Sequence, residues 1–308
     1  MKSGINYPES WDVNSLAGPD WWFGFSKRHP DIAVRKGENC SLQRKFSFNE
    51  VSVSKFFDNL ESLYNRFPGI VENCRIYYLD ETATCTVQGA RKVVAARGQK
   101  QVYCNASAER GPLVTTVGII CANGTIIPPV MIFPRVNFKR HMLAGCYPGT
   151  LGLSNPSGWM TTDLFLETMQ HFVKHTNSSK ENKSILVLDD HESRFSIPVI
   201  DLAKASGVHM VTLVPHSSHK LQPLDRTVYG PFKNFMNGEM GNWMAANPEQ
   251  HFTIYEMASF VHQALLKSAT RKNIVSGFNA TGIFPFNRRI FDGKITKRPI
   301  VYKILMLT

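Results

Sequence analysis

The sequence predicts an α/β fold, a mixed sheet flanked by helices, with a small helical segment at its amino-terminal end. Three observations predict it. Runs of consecutive aliphatic residues alternate with stretches of helical periodicity. Gly, Pro and Asn-Gly breaks separate them. Of 308 residues, 43% are hydrophobic and 19% charged, the balance of an ordinary globular protein.

The stretch 1–68 differs in character from the rest. Pro19-Asp20-Trp21-Trp22-Phe23-Gly24-Phe25 is aromatic-rich and leads into Lys27, Arg28, Arg35 and Lys36. Trp21 and Trp22 are read as the aromatic core of a small helical unit, with base stacking as the alternative. Phe46 to Phe67 is a helix, since Val53, Phe56, Phe57, Leu60, Leu63 and Tyr64 recur at i, i+3, i+4 spacing, and Pro68-Gly69 closes it. Arg75 to Leu79 is a short apolar strand ending on Asp80. Leu113–Cys121 and Thr125–Phe133 form a hairpin turning on Asn123-Gly124. Gly118, Gly124, Pro128 and Pro129 interrupt this apolar stretch, so it is not a membrane span.

Thr161 or Thr162 caps a helix reaching His175, with Asp163 in its first turn and Leu164, Phe165, Met169 and Phe172 on its apolar face. Ser184–Leu188 is a buried strand ending on Asp189. Ile197–Ala205 is helical and Gly207 closes it. Val208–Val214 is another strand, ended by Pro215, and helices follow at roughly 225–246 and 254–269. This order of elements is that of ribonuclease-H-like folds. The expected division is 1–68, a helical amino-terminal segment with its linker helix, 69–290, the α/β domain, and 291–308, a basic tail. Arg288, Arg289, Lys294, Lys297 and Arg298 are too loosely spaced to choose among a nuclear import signal, phosphate contacts and a soluble end.

Thirty-five Lys and Arg against 24 Asp and Glu leave +11 at pH 7. That excess favours a polyanionic partner without separating DNA from RNA or an anionic membrane. Cysteines at 40, 74, 85, 104, 121 and 146 form no CxxC pair, which argues against a zinc ribbon or a thioredoxin-like site. Met1 to Ser10 is polar and contains Pro8, so no signal peptide is expected and the setting is reducing and intracellular.

Three acids fall at matched places. Asp80 ends one strand, Asp189 ends another much further along the chain, and Asp225 opens the helix after the next strand. Carboxyl ends of strands are where open α/β sheets bind ligands. Clustered carboxylates repel one another unless cations sit between them, and hard oxygen ligands favour Mg²⁺ or Mn²⁺. Two such ions, about 3.5–4 Å apart, suit an in-line phosphoryl displacement. A lone Asp at such a position is more often a cap or turn residue. Three together in a basic chain bring the two readings to balance.

The words around the acids carry a resemblance. Tyr78-Leu79-Asp80-Glu81-Thr82 resembles the "DET" of pogo/Tigger/Jerky-type transposases of the DDE superfamily. Leu186-Val187-Leu188-Asp189-Asp190-His191-Glu192-Ser193 resembles their "LLLDNHxS", and Pro215 to Asp225 their "PPHTSHKLQPLD". Gly230-Pro231-Phe232-Lys233 and Ala280 to Asn287 also match family words, and Gly18 to Pro30 resembles the end of a centromere-protein-B-type helix-turn-helix. The resemblance implies a ribonuclease-H-like endonuclease in which Asp80, Asp189 and Asp225 hold two Mg²⁺ or Mn²⁺ ions. It implies hydrolysis of double-stranded DNA and strand transfer, in the nucleus, with a homodimer allowed. The alternative is a domesticated, catalytically inactive DNA-binding or chromatin protein, and a third reading is a ribonuclease-H-like RNA nuclease. Ala83, Asp190 and Arg194 depart from the family pattern, and the chain starts inside the second helix-turn-helix unit.

Arg91, Lys92, Arg97 and Lys100, in the loop after the first acid, are candidate phosphate contacts, as is Lys220; a solvated loop is the plainer alternative for the first four. His191 is equally an orienting group or a structural one. His216 and His219 are read as fixing their loop. The side chain of Asp190 should point away from that of Asp189 if the strand continues through it.

Overall fold

The computed structural model describes residues 11, 18–32, 49–87, 111–191, 194–214, 218–247 and 250–293. The chain divides into two compact units, Met1–Leu42 with Thr296–Thr308, and Gln43–Ile295. In the first, helix α1 (Pro19–Arg28) begins on a proline and carries Asp20 in its first turn and Lys27 and Arg28 in its last, all favourable to the helix dipole. Trp21 stacks on Phe25 at 4.9 Å, with Trp11 edge-on at 5.9 Å. No residue of α1 is buried and Trp21 is 43% exposed, so the aromatic core expected there is a surface stack among the described residues.

The second unit holds a six-stranded mixed sheet. Its strands are β1 (Ile76–Cys85), β2 (Leu113–Cys121), β3 (Ile126–Phe133), β4 (Leu151–Ser154), β5 (Ser184–Leu188) and β6 (Val208–Thr212), in the order β4-β3-β2-β1-β5-β6. β1, β2 and β3 form an antiparallel meander, while β5 lies parallel to both β1 and β6. β5 is buried along its whole length, which is why it reads as continuous aliphatics. The β2–β3 turn uses Gly124 at φ +92°, where Asn123 accepts a hydrogen bond from Thr125 N at 2.9 Å. β4 has no counterpart in the sequence reading, because so short a strand with a glycine in it carries no readable period.

Both faces of the sheet are covered. On one pack α2 (Glu50–Arg66), α8 (Tyr229–Ala246), α9 (Met257–Ser268) and α10 (Arg271–Thr281), around Ile76, Tyr78, Val187 and Phe232. On the other, α4 (Thr162–Thr176) and α5 (Ile197–Ala205) cover Tyr77, Leu79, Leu186 and Leu188. Asn49 caps α2 through Ser52 N at 2.9 Å, and Thr161 caps α4 through Leu164 N. α2 buries Val53, Phe56, Phe57, Leu60 and Tyr64, each contributing about 1.5–3 kcal/mol of transfer free energy. Its Tyr64 hydroxyl donates to the Ile283 carbonyl at 2.9 Å. This helix, grouped by composition with the amino-terminal stretch 1–68, is therefore built into the larger unit.

Three further differences from the sequence reading bear on the site. The chain after Pro68 does not stop but turns through a short helix, α3 (Pro68–Glu72). β1 continues through Asp80 to Cys85. The helix expected over 225–246 is two, α7 (Pro223–Thr227) and α8, parted at Val228, and a short α6 (Ser218–Leu221) precedes them, with Pro223 opening α7 at its first position. α10 lies beyond the elements read from the sequence, although Thr270 caps it through Asn273 N and Gly282 ends it in the left-handed region.

Candidate active site

Asp80 is the fifth residue of β1, and strand alternation sets it on the same face as Tyr78 and Thr82. The parallel register pairs Ile76 with Ile185 and Tyr78 with Val187, an offset that brings Asp189 alongside Asp80 just past the end of β5. The separation of the two acids along the chain is thus the register of the two strands.

Across the antiparallel ladder, Asp80 faces Gly118, where the β2–β3 pairing shifts. The missing side chain has a purpose here. A Cβ at Gly118 would lie 2.9 Å from the Tyr229 hydroxyl and 3.3 Å from Leu224 Cδ1. The space lets Tyr229, the first residue of α8, donate its hydroxyl to the Asp80 carbonyl at 2.7 Å. It also seats α7, which carries Asp225 in its first turn, close over β1. The Gln222 carboxamide reaches Asp80 Oδ2 at 3.2 Å and Asp225 Oδ2 at 2.5 Å, and since both neighbours are acceptors the atom facing them is assigned as the nitrogen, which donates to both. One amide thus bridges the two carboxylates.

Asp80 is 6% exposed. Burial pushes its carboxyl well above the usual carboxylate range, the neighbouring Asp225 adds to this, and the Glu81 backbone N–H opposes it. The phenols of Tyr78 and Tyr229 are likewise raised, first by burial and then by Asp80. The Tyr78, Thr82 and Thr116 hydroxyl oxygens are buried without hydrogen-bond partners among the described residues. Thr82 pairs with Thr116 in register, so a strip of unsatisfied oxygen lies along the strand beside Asp80.

Asp189 has other company. Arg194, 3% exposed at its side chain, donates through Nη2 to Glu81 at 3.0 Å and forms an ion pair through Nη1 with Asp189. Arg194 Nε makes no hydrogen bond among the described residues. The guanidinium also lies 5.8 Å from the centroid of Phe165. Glu81 follows Asp80 on β1 and so points to the opposite face. Burial raises its carboxyl, with Arg194 acting against that rise. Among the described residues no three His, Cys, Asp or Glu side chains stand together as a ready metal cluster. The structure links Asp80 to Asp225 through Gln222 and pairs Asp189 with Arg194, while the charges of Asp189 and Arg194 still act on Asp80.

Lys220 is half-buried on α6, two residues before Gln222. Arg91, Lys92, Arg97 and Lys100 lie outside the described residues, as do His216 and the side chain of His219. Asp190 lines a separate cavity of about 280 Å³ with Lys55, Phe56 and Asn59 of α2. Arg288 of the basic stretch pairs with Asp58 and Glu61 of α2 at 2.8 and 3.0 Å. Gln222, Tyr229, Gly118, Glu81 and Arg194 are not among the site residues predicted from sequence. Gln222 and Glu81 stand inside the motif words and Arg194 directly follows one as a departure from the family pattern; Gly118 and Tyr229 meet Asp80 only through the fold.

The donor set between Asp80 and Asp225 fits a divalent cation. Two close carboxylates, one of them buried and both reached by a single amide, offer hard oxygens whose mutual repulsion a cation relieves, and unsatisfied hydroxyls lie beside them.

Comparison with known proteins agrees with this architecture. The fold is similar to the crystal structure of the Mos1 strand transfer complex, with a TM-score of 0.54 at 12% identity, covering 96% of this chain and 82% of that one. The Mos1 mariner paired-end complex with Mn scores 0.47 at 13% identity, over 90% and 82% of the two chains. The MFS-type transporter clz9 of Cochliobolus lunatus is 29% identical over 195 residues, 61% of this chain but 21% of that protein, so the chain spans about a fifth of that relative. Among the described residues no helix is long and apolar enough to cross a membrane. The model of the DDE superfamily endonuclease family matches residues 113–278, more than half the chain, beginning after Asp80 and including Asp189 and Asp225. With the ribonuclease-H-like sheet around its acids, this chain belongs to the DDE superfamily endonuclease family.

Proposed function

We propose that the chain is a divalent-metal-dependent endonuclease of the transposase type, acting on double-stranded DNA in the nucleus. Asp80 and Asp225 are its principal metal ligands and Asp189 its third acid. The single observation that carries this reading is the Asp80–Gln222–Asp225 bridge. Two carboxylates have been brought together at the centre of the sheet, at an electrostatic cost that a bound cation offsets. The net charge of +11 suits a phosphate-bearing substrate, and Lys220 together with Arg91, Lys92, Arg97 and Lys100 are the cations offered to its backbone.

The protein's own groups divide the work. β1 and the Tyr229 hydroxyl fix the backbone of Asp80. α7 presents Asp225, and Gln222 sets the spacing between the two carboxylates. A divalent ion bound there supplies Lewis acidity toward a phosphodiester oxygen. Strand transfer, a second ion and the centromere-protein-B-like character of residues 18–30 are extensions of the same reading.

Nicking of supercoiled plasmid by the purified chain with Mn²⁺ tests it, beside Asp80→Asn, Asp225→Asn and EDTA. The expected outcome is nicking by wild type alone, with each substitution costing on the order of 10³-fold or more, since a lost ligand removes several kcal/mol of charge stabilisation. Equal rates for wild type and both variants would overturn it. A second reading, a DNA-binding protein that has kept the fold without the chemistry, is favoured by one observation, the Arg194 guanidinium on Asp189. That reading expects DNA binding with no metal-dependent nicking.

A further inference from the structure

We infer that Arg194 is a built-in counter-cation that holds Asp189 out of the metal site, so that the free protein binds one divalent ion, between Asp80 and Asp225, and takes a second only against competition from its own guanidinium. The inference rests on the proposed metal-dependent function and concerns how the same acids are filled.

Two adjacent residues set the geometry. Asp80 and Glu81 follow one another on β1, so their side chains leave opposite faces of the sheet. Asp225 and Gln222 meet Asp80 on its face. Asp189 lies one residue beyond β5, where the ladder no longer dictates the direction of a side chain. Arg194 decides that direction by pairing at once with Asp189 and Glu81. The third acid is thereby tied to the Glu81 side, although its backbone lies in register with Asp80.

Burial makes this choice consequential. A guanidinium that is 3% exposed cannot be screened by water, and two carboxylates flank it. The attraction is far stronger than in a surface pair, so an ion approaching Asp189 must displace a competitor already in place. Yet the seat is incomplete. Arg194 Nε makes no hydrogen bond among the described residues, so the guanidinium is seated through only part of its donor set. A buried, imperfectly satisfied ion pair on an acid is the arrangement of a displaceable cation. Phe165 supplies a ring face beneath the guanidinium that carries no competing charge.

The test is the stoichiometry of Mn²⁺ bound to the whole chain, by isothermal titration with parallel electron paramagnetic resonance of the free ion. Wild type, Arg194→Gln, Arg194→Gln with Glu81→Gln, and Asp189→Asn are compared. The double variant removes one positive and one negative charge together, so it keeps the pocket balanced if Arg194→Gln alone does not fold. Wild type should show one tight site, and Asp189→Asn should still bind one ion. Removing Arg194 should expose a second site at least roughly tenfold tighter than any second site in wild type. Two sites of equal affinity in wild type would overturn the inference while leaving the metal-dependent reading intact, as would a second site no tighter without Arg194. No bound ion in any variant would sink the metal-dependent reading, and this inference with it.

Discussion

The acid site has two halves that differ in how their charge is balanced. On one, Asp80 and Asp225 share a neutral amide, and the carboxyl of Asp80 is pushed upward by burial and by its neighbour. On the other, Asp189 and Glu81 share a guanidinium, and Arg194 works against the rise that burial imposes on Glu81. The same central strands thus carry one pair of acids whose repulsion calls for a cation and another already furnished with one. The lesson is that a matched triad of acids in sequence does not give three equivalent ligands. What each acid can bind depends on the nearest opposite charge.

Removal of Arg194 gives the largest expected effect on stability. Arg194→Ala leaves two carboxylates facing each other and should cost about 3 kcal/mol, the low end for a broken buried pair, because Glu81 and Asp189 keep 20% and 35% of their side chains exposed. Urea unfolding measures it, and added Mn²⁺ should restore more stability to the variant than to wild type. A variant as stable as wild type in the absence of metal would break the comparison.

Next in size is Gly118→Ala. Its Cβ would press on the Tyr229 hydroxyl and on Leu224 Cδ1, so an overpacking cost of about 1–3 kcal/mol is expected. Nicking should fall with it, since α7 and Asp225 must move away from β1. Tyr229→Phe is gentler. It removes only the hydrogen bond to the Asp80 carbonyl, worth about 1 kcal/mol in thermal or denaturant unfolding. If Tyr229→Phe proved as costly as Gly118→Ala, the hydroxyl would hold Asp80 by more than one ordinary hydrogen bond; if it cost nothing, the ring alone would be what positions Asp80. The smallest effect is predicted at the surface. Arg288→Ala breaks pairs with Asp58 and Glu61 that are exposed on both sides, and should change unfolding free energy by less than about 1 kcal/mol.

Much of the fold was legible because its signals are local. Ile185 to Leu188 reads as a buried strand and is one; Asn123-Gly124 makes its hairpin; Thr161 caps its helix. β4 escapes such a reading because it is too short to carry a period. The break at Val228 is hidden because the residues on both sides of it are compatible with one helix. At the site, the three acids stand out by spacing, and the equality of that spacing with the β1–β5 register explains why. The partners of each acid do not stand out. Gly118 and Tyr229 are remote from Asp80 along the chain and reach it only through the sheet and α8. Arg194 shows in the sequence as a departure from the family word, but only the fold reveals that it faces Asp189 and Glu81 together.

The central claim is that Asp80 and Asp225 form the clamp for a divalent ion. Anomalous diffraction from Mn²⁺-soaked crystals of the whole chain addresses it directly, with Asp225→Asn crystals as the comparison. The account predicts an anomalous peak about 2 Å from carboxylate oxygens of both Asp80 and Asp225, absent from the variant. A peak on Asp189 alone, or none under conditions that saturate the protein in solution, would contradict it.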